Sequence, residues 1–432
     1  MKTTLTMKKN LLKIIILFPL FGFTQNPSVY ITNEGNFGTG NGSLSVYDIN
    51  LNTVTNDVFS TANGGALLGD VVQSVQFFNG NGYICVNNSS KIEVIDESAN
   101  YIATIPVTFP RYIKQVNSSK AYATDWGANG VNVIDLNTNI VTSTITCGTG
   151  PEGLAISNGY AYVCNVGGWG LDSTVTIINT STDAVIATLT VGDKPNSAVV
   201  DKDGNVWILT GGFTEYDANW NIVSETPGVL AMINTVTNTI DRSYTFPIGN
   251  HPEDLIINSV GDKMYYSDGS WNKSVYEFGL LDTDLPTNKF IERSFYGLGY
   301  DTYSNEIYAT DAVDFIQQGW VYRYATSGAV IDSFLVGIIP GSFAFKHNAL
   351  SSLNINHNEV SIYPNPSNGR FFISSNDKLK LLLIYDLLGV LVKSISVNYL
   401  SDIIDLNELE KGVYIIDIIS ENGKTSKKLI IE

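Results

Sequence analysis

The sequence predicts an all-β chain: a seven-bladed β-propeller with four-stranded blades and non-covalent ring closure, followed by a small Ig-like β-sandwich. Three observations carry this reading. A strand motif centred on an aromatic residue recurs seven times, each copy leads into the same succession of strands and turns, and near residue 346 the repeat stops and the composition changes. Period-2 alternation broken by Gly, Asn, Asp and Pro dominates throughout, without long stretches of helical period.

Residues 1–25 are read as a signal peptide. Lys2, Lys8, Lys9 and Lys13 precede or interrupt a short apolar run from Leu11 to Phe23, the pattern of a secretory leader. The run is too short to span a bilayer and contains Lys13 and Pro19. No cysteine stands at the expected cleavage point near 24–26, so a lipid anchor is not expected there. No later segment reaches membrane-spanning length without charges.

Residues 26–346 carry the repeats. Val-Tyr-Ile-Thr-Asn from Val29 returns as Tyr-Ile-Cys-Val-Asn from Tyr83 and Ala-Tyr-Ala-Thr-Asp from Ala121. It returns again from Ala161, Val206, Met264 and Ile307. The aromatics are Tyr30, Tyr83, Tyr122, Tyr162, Trp207, Tyr265 and Tyr308, a mean step of about 46 residues, within the range of propeller blades. Each motif strand is followed by a second, as in Val131–Leu136 and Val175–Asn179, then a turn such as Asn137–Asn139 and a third strand. A Gly/Pro loop and a fourth strand complete the unit, as from Gly150, Asp193 and Asn250. Four strands repeated radially make a propeller. With the Pro-led innermost strand labelled A and the aromatic strand B, the chain begins at B, at Val29. It ends at A, with Gly341–Phe345. That last strand is expected to complete the first blade and remove the exposed edge of an open array.

This order puts the B–C and D–A loops on one face. Six of the seven B–C loops hold Phe or Trp beside Gly, Asn or Asp: Phe37, Trp126, Trp169, Phe213, Trp271 and Phe315. The D–A loops of the same face add Arg111, Glu152, Asn196 and Glu253. Aromatic faces supply contact area and a few polar groups supply orientation, as a concave ligand site needs. These ten residues are the candidate ligand contacts.

The composition narrows the partners. Lys and Arg number 25 against 42 Asp and Glu, a net charge of −17, which disfavours nucleic acid and anionic membrane surfaces. The four N-terminal lysines leave this acidity to the propeller segment, where it is read mainly as a solvated surface. Cys85, Cys147 and Cys164 are too few for a disulfide framework and read as small buried hydrophobes, with a Cys147–Cys164 bridge left open. No HExxH, CxxC, GxSxG or P-loop is present, so no catalytic or metal residue is assigned and no cofactor is named. His251 lies on the proposed face beside Glu253 and Asp254 and is read as a polar loop residue. Asp201–Gly204 opens like a calcium loop, lacks the later ligands and is read as a turn. Glu34, Glu152, Glu253 and Asn196 are the groups that a central cation would use.

Residues 347–357 form a polar linker. Residues 358–432 follow as short strands, Val360–Tyr363, Arg370–Ser374, Leu381–Asp386, Val390–Ser396, Gly412–Ile419 and Lys427–Ile431, read as an antiparallel sandwich. Its motifs are Tyr363, Pro364, Asn365 and Pro366 with Gly369, then Gly389, Gly412 and Tyr414, and the terminal Lys427 and Lys428. In these motifs the segment resembles the type A sorting domain of the Bacteroidetes type IX secretion system. The resemblance implies handling by that machinery, export across the outer membrane, removal of the domain and, often, attachment to surface lipopolysaccharide. The expected location is extracellular or on the outer-membrane surface.

The propeller, in Asn33–Asp48 and the Pro-Glu loops, resembles the YncE-like propellers of Bacteroidetes surface proteins, which include lipoproteins that capture cobalamin for an outer-membrane transporter. The resemblance implies the fold and offers cobamide-like nutrient capture as a lead. The chain departs from those lipoproteins in lacking the lipid-anchor cysteine. The expected function is non-enzymatic binding of a small molecule or surface protein on the B–C/D–A face. The alternatives are a cation-dependent hydrolase or lactonase and an adhesion or surface scaffold.

Overall fold

The computed structural model describes residues 27–269, 273–347, 361–374, 378–386, 390–397, 401–420 and 424–432. The expected signal peptide, the linker beyond His347, Trp271 and Gly389 lie outside the described residues. The chain divides at 347/348 into two compact units. Among the described residues no helix is long and apolar enough to cross a membrane.

The first unit is a ring of seven antiparallel sheets. Blades two to five and blade seven run A–B–C–D in chain order, as in Pro110–Asn117, Lys120–Asp125, Gly130–Asp135 and Ile140–Thr146 of blade three. Blade one is assembled from both ends of the unit: Pro340–Lys346 pairs with Ser28–Asn33, which pairs with Ser43–Asp48 and then Thr53–Thr55. The seven A strands touch one another in cyclic order. In blade six, Glu253–Ile257, Lys263–Asp268 and Ser274–Gly279 form three strands, and the fourth place is held by Phe290 and Ile291 bonded to Val275. A hairpin absent from the sequence reading, Phe213–Tyr216 with Ile222–Thr226, is inserted between strands B and C of blade five.

The repeating aromatic has a structural cause. All seven are buried. In successive blades the phenol reaches the C–D turn of the next blade. Tyr30 Oη donates to Glu97 O at 2.8 Å, Tyr83 Oη to Asn139 Oδ1 at 3.3 Å, and Tyr162 Oη to Asn238 Oδ1 at 2.7 Å, while Tyr122 Oη donates to Asp183. Asn139, Asp183 and Asn238 sit at φ of 56°, 57° and 56°, a left-handed conformation that Asn and Asp tolerate. The ring thus buries an apolar face and satisfies the hydroxyl with one residue type. Blade five uses Trp207, whose Nε1–H donates to Asp201 Oδ2 at 2.9 Å. Asp201 also accepts backbone N–H bonds from Asp203 and Asn205, which confirms the turn read at 201–204.

The three cysteines are free thiols, Cys85 and Cys164 buried and Cys147 partly so. Burial pushes the Cys85 and Cys147 thiols up to about 12, so neither forms a thiolate at neutral pH.

The second unit has two sheets. One is Ser361–Tyr363, Arg370–Ser374 and Ser401–Asp405; the other orders Leu391–Ser396, Leu379–Tyr385, Gly412–Ser420 and Lys424–Ile431. Phe371, Ile373, Leu382, Ile384, Ile404, Ile416, Ile418 and Leu429 share its core. The strand Ser401–Asp405 was not foreseen. Asn365 ties the first motif to the last strand, donating to Lys428 O at 2.7 Å and accepting from Ile430 N at 2.9 Å.

Candidate functional site

A central cavity of about 1460 Å³ opens among the B–C and D–A loops of the propeller. Arg111, Glu152, Asn196, Phe213, Glu253 and Phe315 line it. Trp126 stands behind Arg111, whose guanidinium lies 4.2 Å from the indole centroid. Phe37 and Trp169 do not line the cavity; they are about 80% exposed on the outer face. Trp169 packs edge-on against Trp126 and Phe109, at 5.5 and 5.6 Å between centroids.

The best-fixed part of the wall is Arg111 with Glu152. Pro110 and Pro151 open adjacent A strands, which brings the two residues that follow them together. Arg111 Nε and Nη2 donate to the two oxygens of Glu152 at 2.8 and 2.7 Å, and Nη1 donates to Gln73 Oε1 at 2.5 Å. Trp126 Nε1–H adds a third bond to Glu152, at 2.7 Å. A bidentate pair of this kind has fixed geometry and little freedom to rearrange.

Across the cavity, Tyr296 Oη donates to Glu34 Oε1 at 3.0 Å and its ring meets Phe315 edge-on at 5.5 Å. Burial, opposed by the Tyr296 bond, raises the Glu34 carboxyl above its usual range. Asp254, at the start of the blade-six A strand, has φ of 60°. Burial first, and then the charge of Glu253, push its carboxyl up to about 7. Glu253 itself is paired with Lys273. Asn196 donates to Pro252 O at 3.1 Å and accepts from Ser197 Oγ at 2.6 Å.

The blade-five hairpin overhangs the mouth. Phe213, Thr214, Tyr216, Ile222 and Glu225 line the cavity from it. His251 Nδ1 donates to Gly211 O at 2.7 Å, and its Nε2 lies 3.0 Å from Thr214 Oγ1 and 3.1 Å from Glu225 Oε1, so the histidine pins the hairpin to the next blade. At the hairpin's turn Trp220 is 82% exposed.

The groups foreseen for a central cation are engaged elsewhere. Glu152 is held by Arg111 and Trp126, Glu253 by Lys273, and Asn196 by its neighbours. Among the described residues no three His, Cys, Asp or Glu side chains converge as metal ligands would. The polar residues that end the B strands also turn inward. Asn33 donates to Ser43 and Ser45, Asn165 to Thr174 and Thr176, and Asp125 accepts from Phe109 N and Gly127 N. They turn back into the blades rather than face a ligand.

Sequence reasoning missed Lys114, Lys194, Lys273, Glu225 and the raised carboxyl of Asp254. Lys114 lies on an inner strand and carries no loop signature, Lys194 and Lys273 stand in loops read for their aromatic and acidic residues, and the Glu225 contact depends on the hairpin.

Comparison with solved structures agrees with the propeller. A quinonprotein alcohol dehydrogenase-like protein of Bacteroides thetaiotaomicron VPI-5482 matches at a TM-score of 0.55 and 18% identity, over 72% of this chain and 78% of that one. The periplasmic gluconolactonase of Pseudomonas aeruginosa matches at 0.54 and 10% identity, over 74% of this chain and 99% of that one. At these identities the likeness shows the fold alone. No curated protein matches the sequence. Residues 361–432 match the secretion system C-terminal sorting domain, which marks the chain for export to the cell surface or the medium. Residues 28–336, well over half of the chain, match the domain of unknown function DUF5074, and the protein belongs to that family.

Proposed function

We propose that the protein is an exported propeller that binds an organic ligand in its central cavity, without catalysis, on the face formed by the B–C and D–A loops. The observation that carries this is the cavity itself. Its volume of about 1460 Å³ is above the usual range for small-molecule sites, so a large ligand fits. Its wall offers aromatic surface from Phe213, Tyr216, Tyr296 and Phe315 and fixed polar groups from Arg111, Glu152 and Glu34. The scaffold reading expects this mouth to be filled by packed side chains, and an open cavity weighs against it.

The YncE-like resemblance makes cobamides the first ligands to try. A thermal-shift screen of the full chain against cobamides, oligosaccharides and Ca²⁺ tests the proposal. A ligand that binds only the folded state adds about 2.7 kcal/mol at a hundred times its Kd, so the melting temperature rises with concentration. A shift with an organic compound supports the reading. A shift with Ca²⁺ alone turns it toward a cation-dependent enzyme, and no shift at all turns it toward a protein partner or scaffold.

A further inference from the structure

The cations around the cavity are almost all occupied. Arg111 is held by Glu152, Lys273 by Glu253, and Arg293 by Asp311 at 2.8 Å. The Lys194 ammonium donates to Gly170 O at 2.5 Å, and His251 faces Glu225. Lys114 is the exception. It lies within the blade-three A strand, Pro110–Asn117, lines the cavity and is exposed to it, with no hydrogen-bond or ion-pair partner among the described residues.

The A strands contribute the partly exposed Ala198, Ile256 and Leu298 to the same wall. Gln76, on the neighbouring A strand of blade two, also lines the cavity and has no side-chain partner among the described residues. An ammonium ringed by protein loses hydration without gaining a counter-ion, and its pKa is drawn below the ordinary value. An anion beside it restores what the enclosure removes. This unspent cation stands at the centre of a chain whose net charge is −17.

We infer that Lys114 anchors an anionic group, a carboxylate or a phosphate, on the ligand that enters the central cavity, with the Gln76 amide as a neutral second contact. The inference rests on the proposed binding function and adds the chemical class of the ligand. A neutral or cationic ligand would leave Lys114 unpaired.

The test uses the full chain and a charged amine-reactive probe. Pyridoxal 5′-phosphate is an anionic aldehyde that condenses with a free amine to an imine and water, and borohydride reduces the imine to a stable amine for peptide mapping. Lys114 is expected to be modified about ten-fold faster at pH 7 than Lys202, which is exposed and ion-paired with Asp203. Inorganic phosphate or citrate should slow the modification at Lys114 and leave Lys202 unchanged; which of the two protects better tells phosphate from carboxylate recognition. Modification of Lys114 no faster than Lys202, or unaffected by either competitor, overturns the inference. If that result accompanies a thermal shift by a neutral compound, the anchor falls and the cavity reading stands. If Lys114 is protected while no organic compound shifts the melting temperature, Lys114 holds a free anion only, and the wider reading falls together with the anchor built on it.

Discussion

Glu152 accepts three hydrogen bonds, two from Arg111 and one from Trp126, and both members of the ion pair are largely buried. Removing one partner of such a pair strands the other charge, so Glu152→Ala should cost about 3–5 kcal/mol in urea unfolding. A loss under 1 kcal/mol would mean that Arg111 finds another partner. Asp254 makes the opposite case. Its carboxyl rises from the ordinary 3.8 to about 7 in the folded chain, first through burial and then through Glu253. Between those values the folded state holds a proton that the unfolded state has released, so stability falls as pH rises through that window and the full penalty applies above it. Asp254→Asn removes the titration, and Asn accepts the left-handed backbone at φ 60°. The urea midpoint of the variant should gain on the wild type between pH 4 and pH 8; a constant gap would contradict this. At this scale the sequence shows residue types and not directions. Asn33, Asp125 and Asn165 look like face-lining polar groups, and each turns back into the blades, Asn33 bonding both its own blade and blade seven. Arg111 and Glu152 do reach the cavity, because each follows the proline that opens an A strand.

The blade period was legible because a single buried aromatic recurs in all seven repeats, and in the first four it does two jobs. Tyr83, Tyr122 and Tyr162 fill the blade core and bond the next blade's turn, so the aromatic and the Asn or Asp of that turn recur together. The hairpin Phe213–Tyr216 with Ile222–Thr226 was not legible. Four- and five-residue strands with exposed Tyr216, Ile222 and Val223 show no buried face, and period-2 reading has nothing to follow. Blade six loses its regular fourth strand for a similar reason, since one short bridge at Val275 and Ile291 replaces a ladder. Ring closure was foreseeable, because a chain that starts on a B strand and ends on an A strand leaves matching edges. Pro340–Lys346 pairs with Ser28–Asn33 along most of its length, and Gly337 N donates to Asn33 Oδ1 at 3.0 Å beside it. A chain ending at Ile339 should therefore lose cooperative thermal unfolding and associate through its open edge, whereas one ending at His347 should keep a single transition. Equal, cooperative melting of both would show that closure is dispensable.

The whole molecule joins a closed ring to a sorting domain, and the two carry different parts of the account. The sorting domain bears on where the chain goes. The ring bears on what it does there, since inner strands that line an axial cavity leave the loops of one face free to surround its mouth. On the proposed reading, an acidic chain with its cavity cations mostly neutralised, and Lys114 without a partner among the described residues, would select its ligand by local chemistry more than by long-range charge. The central claim is that this cavity holds the ligand. Isothermal titration of the wild type and of the Phe213→Ala/Phe315→Ala double variant, with the organic compound that gives the largest thermal shift, tests it most directly. Both rings line the cavity from different blades, and neither belongs to its blade's buried core. The account predicts one site per chain in the wild type and at least a ten-fold weaker Kd in the variant, about 1.4 kcal/mol, at an unchanged melting temperature. Unchanged affinity in a folded variant would place the ligand elsewhere and contradict the account.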